Sequence, residues 1–166
     1  MLFELGTYIL DIDVEKTRIF YKHAPVISNE CNCQGCRNYS KWAEELCVEP
    51  KHILERMGVQ LEKTPEVYVN CQNEDGTLYY GGFYHLCGTI VSGKNPWKVI
   101  EGNAKEMDAD ALISLGEGFR VAFSEDVYLL EKDFPTPAIQ MEISAKIPFV
   151  LTEKCDYPVP NDSFDI

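Results

Sequence analysis

The residues of this chain best suited to chemistry are three cysteines within six positions, Cys31, Cys33 and Cys36, in the run CNCQGC. A metal ion such as zinc needs thiolate ligands at about 2.3 Å, and a loop that contains glycine can turn tightly enough to supply several of them. The spacing Cys33-x-x-Cys36 is a common half of a zinc site, but a second Cys-x-x-Cys or a His pair does not follow. The loop therefore predicts a metal site that is one ligand short of four.

A fourth ligand has to come from elsewhere in the chain. The other residues considered that carry a thiol or an imidazole are His85, Cys87, Cys71 and Cys47. His85 and Cys87 are two positions apart in a predicted strand, so their side chains point to the same face of it. We expect His85 to complete the site, with zinc as a structural ion that ties the loop to the sheet. The predicted ligand set is Cys31, Cys33, Cys36 and His85.

The same thiols support two other hypotheses. A cysteine just before a helix has a lowered pKa because the helix N-terminus favours the thiolate. With a helix predicted from Asn38, Cys36 would be the nucleophile of a thiol-dependent enzyme or redox protein, and His85 its base. A thioredoxin-like protein would place the motif after a strand in a βαβ unit, which the pattern does not predict. In the third hypothesis the chain is a plain interaction domain and the thiols only pack in its core.

An aromatic run, YYGGFYH at positions 79–85, is the second feature that could bind a ligand. Aromatic side chains at alternate strand positions can line a groove, and the two glycines would let a ligand or another backbone approach closely. His85 would then be an acid–base group or a ligand. The alternative is that these aromatics pack the sheet.

The charge balance excludes some partners. The chain has 27 acidic and 15 basic residues, a net charge of -12, and its basic residues are scattered among acids. Phosphate backbones and anionic membranes are bound by clustered Lys and Arg, so neither is an expected partner. The N-terminal residues do not resemble a secretion signal. The chain has seven cysteines, and an odd number argues against a closed disulfide framework. We therefore expect a cytosolic protein with reduced thiols, whose partner, if any, is another protein.

Hydrophobic periodicity predicts two helices and several strands. Tyr39, Trp42, Ala43 and Leu46 form one apolar helical face after the thiol loop, and a second short helix runs from Pro50 to Gly58. Residues 7–21 favour a hairpin, although a helix over 14–21 capped by Asp13 is an alternative.

The rest of the chain favours strands. Strands are predicted near 67–71, over 78–91, near 112–115, over 119–123 and 127–130 as a hairpin, and over 139–147, where polar residues alternate with apolar ones. Short turns join most of them. This pattern predicts an α+β fold, a mainly antiparallel β-sheet or small sandwich with two short helices. We expect one domain over 1–151 and an acidic, proline-containing tail over 152–166.

Three segments resemble a group of small, uncharacterised bacterial proteins. They are GCRNY at 35–39 behind Cys33, GGFYH at 81–85, and IPFVL at 147–151. The resemblance covers much of the chain, and it implies a bacterial cytosolic origin. It implies no reaction, because these motifs are not specific to any activity.

Overall fold

The computed structural model describes residues 1–160, which form an antiparallel sheet with helices packed on one side. The strands of these residues, in chain order, are β1 (Leu2–Leu5), β2 (Tyr8–Ile12), β3 (Glu66–Gln72), β4 (Leu78–Ser92), β5 (Trp97–Glu101), β6 (Ala104–Met107), β7 (Ile113–Ser114), β8 (Phe119–Ser124) and β9 (Ala138–Ile147). The helices are α1 (Val14–His23), α2 (Ile27–Glu30), α3 (Gln34–Glu45) and α4 (Glu49–Arg56). The predicted α+β class with a mainly antiparallel sheet is confirmed.

The helix α1 replaces the second strand of the hairpin expected over residues 7–21. Asp13 follows β2 and caps the helix, because its Oδ1 accepts a hydrogen bond from the Lys16 backbone N–H at 3.1 Å. Pro25 disfavours helical geometry in the residue before it, and the helix ends there. The β-forming residues Thr17 to Tyr21 therefore lie in a helix, and Thr17 and Tyr21 form its buried side.

The strand β4 is the centre of the sheet. It pairs with β9 over its first ten residues, with β3 over residues 78–83, and with β2 over residues 88–92. The main sheet has the order β1-β2-β4-β9-β8-β7, with β3 attached to β4. The strand expected near residues 112–115 is the two-residue β7, whereas no strand forms over 127–130.

The two faces of the sheet differ in what covers them. The helix face carries Tyr80 and Tyr84 of β4, and it packs against α1 and α3. The opposite face, here the hairpin face, carries the alternate residues of β4 and β9. The hairpin of β5 and β6 reaches over it, and the Trp97 indole N–H donates to Glu142 Oε1 at 3.1 Å.

Three of the four alternating polar residues of β9 are buried, although the pattern places them at the surface. Gln140, Glu142 and Ser144 are each less than 5% exposed. Different elements contact them: Trp97 of the β5–β6 hairpin contacts Glu142, the Tyr128 backbone contacts Gln140, and Arg120 contacts Ser144. The hairpin lies within residues 97–107, where the sequence pattern predicts no strand. Gln140 and Trp97 both donate to the Glu142 carboxylate, so the buried acid has partners.

The chain beyond β9 does not turn away from the domain. Residues 148–160 run back over α3 and reach β3, where the Gln72 N–H donates to Pro158 O at 3.1 Å. The tail expected over 152–166 is thus in contact with the sheet as far as the described residues extend, and its remainder, 161–166, lies outside them. None of the helices within residues 1–160 combines the length and the apolar character needed to span a bilayer.

Candidate metal centre

The three clustered thiols meet at the start of α3. The Sγ atoms of Cys31, Cys33 and Cys36 all lie within 4.8 Å of one another. In a tetrahedral zinc site with Zn–S bonds of 2.3 Å, neighbouring sulfur atoms are about 3.8 Å apart, so only small shifts separate this arrangement from a coordinating one. The three cysteines could therefore hold a metal ion together.

The position of α3 relative to the thiols differs from the prediction. The helix begins at Gln34 rather than Asn38, so Cys36 lies in its first turn and Cys33 occupies the N-cap. The Sγ of Cys33 accepts a hydrogen bond from the Cys36 backbone N–H at 3.4 Å, the role that a Ser or Asp oxygen usually fills. Cys33, not Cys36, is thus the thiol at the helix N-terminus.

The thiols of Cys33 and Cys36 differ in exposure and in pKa. Cys33 is exposed, and Cys36 is buried. Burial opposes ionisation of Cys33, but hydrogen bonds from the Cys36 backbone and from the Cys31 thiol outweigh it and lower the pKa of Cys33. Burial is also the main cause that raises the pKa of Cys36, and the neighbouring thiols add to it. Of Cys33 and Cys36, Cys33 therefore forms its thiolate at the lower pH.

Buried tyrosines of β4 fix the first turns of α3 on the helix face. The Tyr80 hydroxyl donates to Gly35 O at 2.8 Å and accepts from Asn38 Nδ2 at 3.2 Å. One turn further along, the hydroxyls of Tyr39 and Tyr84 bond to each other. Because Tyr80 and Tyr84 lie in β4, these bonds hold the start of α3 against the strand that pairs with β2, β3 and β9.

The chain after β9 covers the other side of the same turn. Asn38 accepts a hydrogen bond from the Val150 N–H at 2.7 Å, and Arg37 forms a two-pronged ion pair with Glu153. The Gly35 N–H donates to the Tyr157 hydroxyl at 3.2 Å. The thiols thus lie between the sheet and a C-terminal segment that is distant in sequence.

No family model, curated protein or solved structure matches this chain.

His85 is not brought to the thiols. Its backbone accepts from and donates to the Tyr21 hydroxyl, and its Nε2 lies 2.9 Å from Tyr128 O and 3.3 Å from Gln140 Oε1 on the hairpin face. It is five residues from Tyr80 along β4, about 17 Å at the rise of a strand. Burial is the main cause that lowers its pKa, which favours a neutral imidazole. The structure thus gives His85 neither the role of fourth ligand nor that of base to Cys36.

The remaining cysteines considered as ligands are also separated from the cluster. Cys47 lies beyond the opposite end of α3, roughly 17 Å from Cys36 at about 1.5 Å per residue. Cys87 lies seven residues beyond Tyr80 on β4. Cys71 is near, but an irregularity in β3 places it opposite Tyr79, on the hairpin face.

The aromatic run at 79–85 is divided between the two faces. Tyr80 and Tyr84 are fully buried among the helices, and Phe83 packs beside His85 with ring centroids 5.4 Å apart on the other face. The glycines allow close approach of β3, since a Cβ on Gly81 would lie 2.6 Å from the Tyr68 hydroxyl. The run packs the sheet and does not line a single groove.

Proposed function

We propose that this chain is a cytosolic binding or interaction module stabilised by a structural zinc ion at Cys31, Cys33 and Cys36. The observation that carries the proposal is the mutual approach of the three Sγ atoms within 4.8 Å. Thiolates are soft ligands that select zinc, copper(I) or iron–sulfur clusters, and zinc is the usual ion of structural tetrahedral sites. A protein partner fits the net charge of -12, which opposes binding to nucleic acid.

The environment of the thiols supports metal binding over simple packing. Cys33 is exposed and already accepts a backbone N–H, which favours the thiolate that a metal requires. Arg37 lies next to the loop, and its Nε donates to Asn32 O at 3.3 Å. A guanidinium here offsets part of the negative charge that three thiolates on a divalent ion leave. Thiols that only fill a core would be buried, as Cys36 is, and not exposed.

The test is elemental analysis of protein purified under reducing, metal-supplemented conditions. We expect about one zinc per chain, with iron and copper absent. Removal of the ion should lower the melting temperature by at least about 10 °C, because structural zinc contributes several kcal/mol and each kcal/mol corresponds to about 2–4 °C in a domain of this size. The variant Cys33→Ser should lose the ion, whereas Cys71→Ser should keep it. Reduced protein that takes up no metal contradicts the proposal.

A second candidate function is thiol–disulfide exchange, and it rests on the contrast between an exposed Cys33 and a buried Cys36. In that reaction the Cys33 thiolate attacks a substrate disulfide, forms a mixed disulfide and releases one substrate thiolate. Cys36 then attacks the sulfur of Cys33 and its proton passes to the second leaving thiolate. The substrate is reduced and a Cys33–Cys36 disulfide remains. In this proposal the nucleophile is Cys33 rather than Cys36, and His85 takes no part.

Two measurements on the same protein preparation distinguish the two functions. A structural zinc site predicts slow thiol modification that a chelator accelerates. An exchange protein predicts a Cys33–Cys36 disulfide that forms reversibly in a glutathione redox buffer and is independent of metal.

A further inference from the structure

The proposed zinc site has three ligands within the loop, and structural zinc sites are almost always four-coordinate. We infer that Cys155 is the fourth ligand, so that the metal fastens the C-terminal segment to the start of α3. The inference rests on the proposed function and adds to it a partner for the site from within this chain.

The first observation is the position of the Cys155 backbone. Gln34 lies between Cys33 and Cys36 in sequence, and its side chain donates to Lys154 O at 2.8 Å and accepts from the Asp156 N–H at 2.9 Å. One amide thus pairs with the residues on both sides of Cys155. Gln34 is only 9% exposed although it is polar, because this segment covers it. Cys155 is therefore held directly against the sequence that carries Cys33 and Cys36.

The second observation is the direction of the Cys155 side chain. Glu153 and Tyr157, two residues to either side, both contact the first turn of α3, through Arg37 and Gly35 respectively. Cys155 lies midway between these two contacts. The exposure pattern indicates the direction of the side chain, since Cys155 and Tyr157 are both half-buried and both pack against the core. The residues between them, Lys154 and Asp156, are exposed.

The third observation concerns charge. A zinc ion with four thiolates carries two negative charges, which need nearby compensation. The first turn of α3 presents backbone N–H groups of Gly35 and Cys36, and Arg37 stands beside the loop. Cys155 lies outside the group of Sγ atoms within 4.8 Å. Coordination therefore requires its side chain to move toward the other three thiols.

The positions of the two nearby cysteines favour Cys155 over Cys71 as the fourth ligand. The nearby alternative is Cys71, which resembles Cys155 in exposure but lies opposite Tyr79 and faces away from α3. These two residues are therefore a matched pair for mutation. Any effect of losing a half-buried thiol in this region should be common to both variants, whereas an effect on the metal should appear in only one.

The experiment titrates reduced, metal-free protein with cobalt(II) and then displaces cobalt with zinc. Wild-type protein should show thiolate-to-cobalt charge transfer from four sulfur ligands, and Cys155→Ser should show about three-quarters of that intensity. Its zinc affinity should fall by more than about 100-fold, since even groups that only support a ligand contribute about 10–100-fold. Cys71→Ser should match the wild type in both measurements.

The outcomes separate this inference from the proposed function. If the wild type binds cobalt and Cys155→Ser binds it with the same spectrum and affinity, the three-thiol site stands and Cys155 is not a ligand. If Cys71→Ser shows the loss instead, the fourth ligand is Cys71. If the wild type binds neither ion, both the proposed function and this inference fail. Hydrogen exchange gives a further readout, because metal should slow exchange of the amides of residues 154–157 in the wild type and not in Cys155→Ser.

Discussion

The thiol of Cys33 caps the helix whose first turn contains Cys36. A hydrogen bond of 3.4 Å, from the Cys36 N–H to the Cys33 Sγ, joins two cysteines that differ in how readily their thiols ionise. The cap stabilises negative charge on the exposed sulfur, while burial disfavours it on the other. Two residues that look equivalent in a Cys-x-x-Cys motif are therefore chemically distinct.

Cys33 should react with iodoacetamide at lower pH than Cys36 in reduced, chelator-treated protein. The pKa of Cys33 is lowered, so its thiolate is populated at a pH where that of Cys36, whose pKa is raised, is not. We expect labelling of Cys33 to be at least about tenfold faster at neutral pH, measured peptide by peptide by mass spectrometry. Unfolding in urea is the control and should make the two rates equal. Faster labelling of Cys36 would contradict the cap geometry.

Gly35→Ala should detach the C-terminal segment from α3. A Cβ at this position would lie 2.7 Å from the Tyr157 hydroxyl and 2.9 Å from Val69 Cγ2, so both neighbours must move. We expect a loss of about 1–3 kcal/mol in urea unfolding, typical of overpacking. The sign of the change in the free energy of unfolding is informative. Alanine favours the helical conformation by about 1 kcal/mol relative to glycine, so without the crowding this change would stabilise the protein.

The control for this change is Tyr157→Ala alone and combined with Gly35→Ala. If crowding by Tyr157 is the cause, the double variant should lose less than the sum of the single variants. Strict additivity would assign the loss to Val69 or to the helix itself.

Glu142→Gln should stabilise the protein at neutral pH and have little effect in acid. Burial raises the pKa of this carboxyl, which is only 4% exposed, so the protonated form is favoured in the folded state. The stability that comes from this shift is complete below the ordinary pKa of glutamate and is lost as the pH rises through the raised value. A glutamine keeps an oxygen that can accept from Trp97 and Gln140.

The measurement is the free energy of unfolding of both proteins between pH 4 and pH 8, at steps of about one unit. The difference between variant and wild type should grow with pH. Glu125→Gln, a change of the same kind at an exposed position after β8, is the control for the substitution itself. A difference that is constant with pH would mean that Glu142 is equally ionised in the folded and unfolded states.

Local patterns predict most of the elements correctly. The apolar spacing from Tyr39 reveals α3, and the alternation of residues 139–147 reveals β9. The start of α3 is missed because Gln34 and Gly35 are not apolar and the capping residue is a cysteine. For α1, the β-forming side chains favour a strand in the sequence pattern more strongly than the Asp13 cap favours a helix. In the protein the segment is a helix, stabilised by the Asp13 cap and by the burial of Tyr21.

The candidate site is predictable in its local part only. Three thiols within six residues meet because a short loop allows little else. The fourth position depends on which distant segment reaches the loop, and this is set by long-range contacts. His85 is attractive from its residue type, but the alternation of β4 directs it to the hairpin face. The path of the segment around Cys155 is fixed by Gln34, Arg37 and Asn38, whose polar side chains give no periodic signal.

The contacts of the C-terminal segment set the order in which the molecule can be assembled. The Val150 N–H donates to Asn38 Oδ1 and the Asp156 N–H donates to Gln34 Oε1, so these two hydrogen bonds join residues 112 and 122 positions apart. Contacts of such separation close long loops, so we expect them to form late in folding, after the helices and hairpins. On that order, we expect a nascent chain to expose its three loop thiols to oxidants and metal ions while nearly the whole of the sheet is still being made.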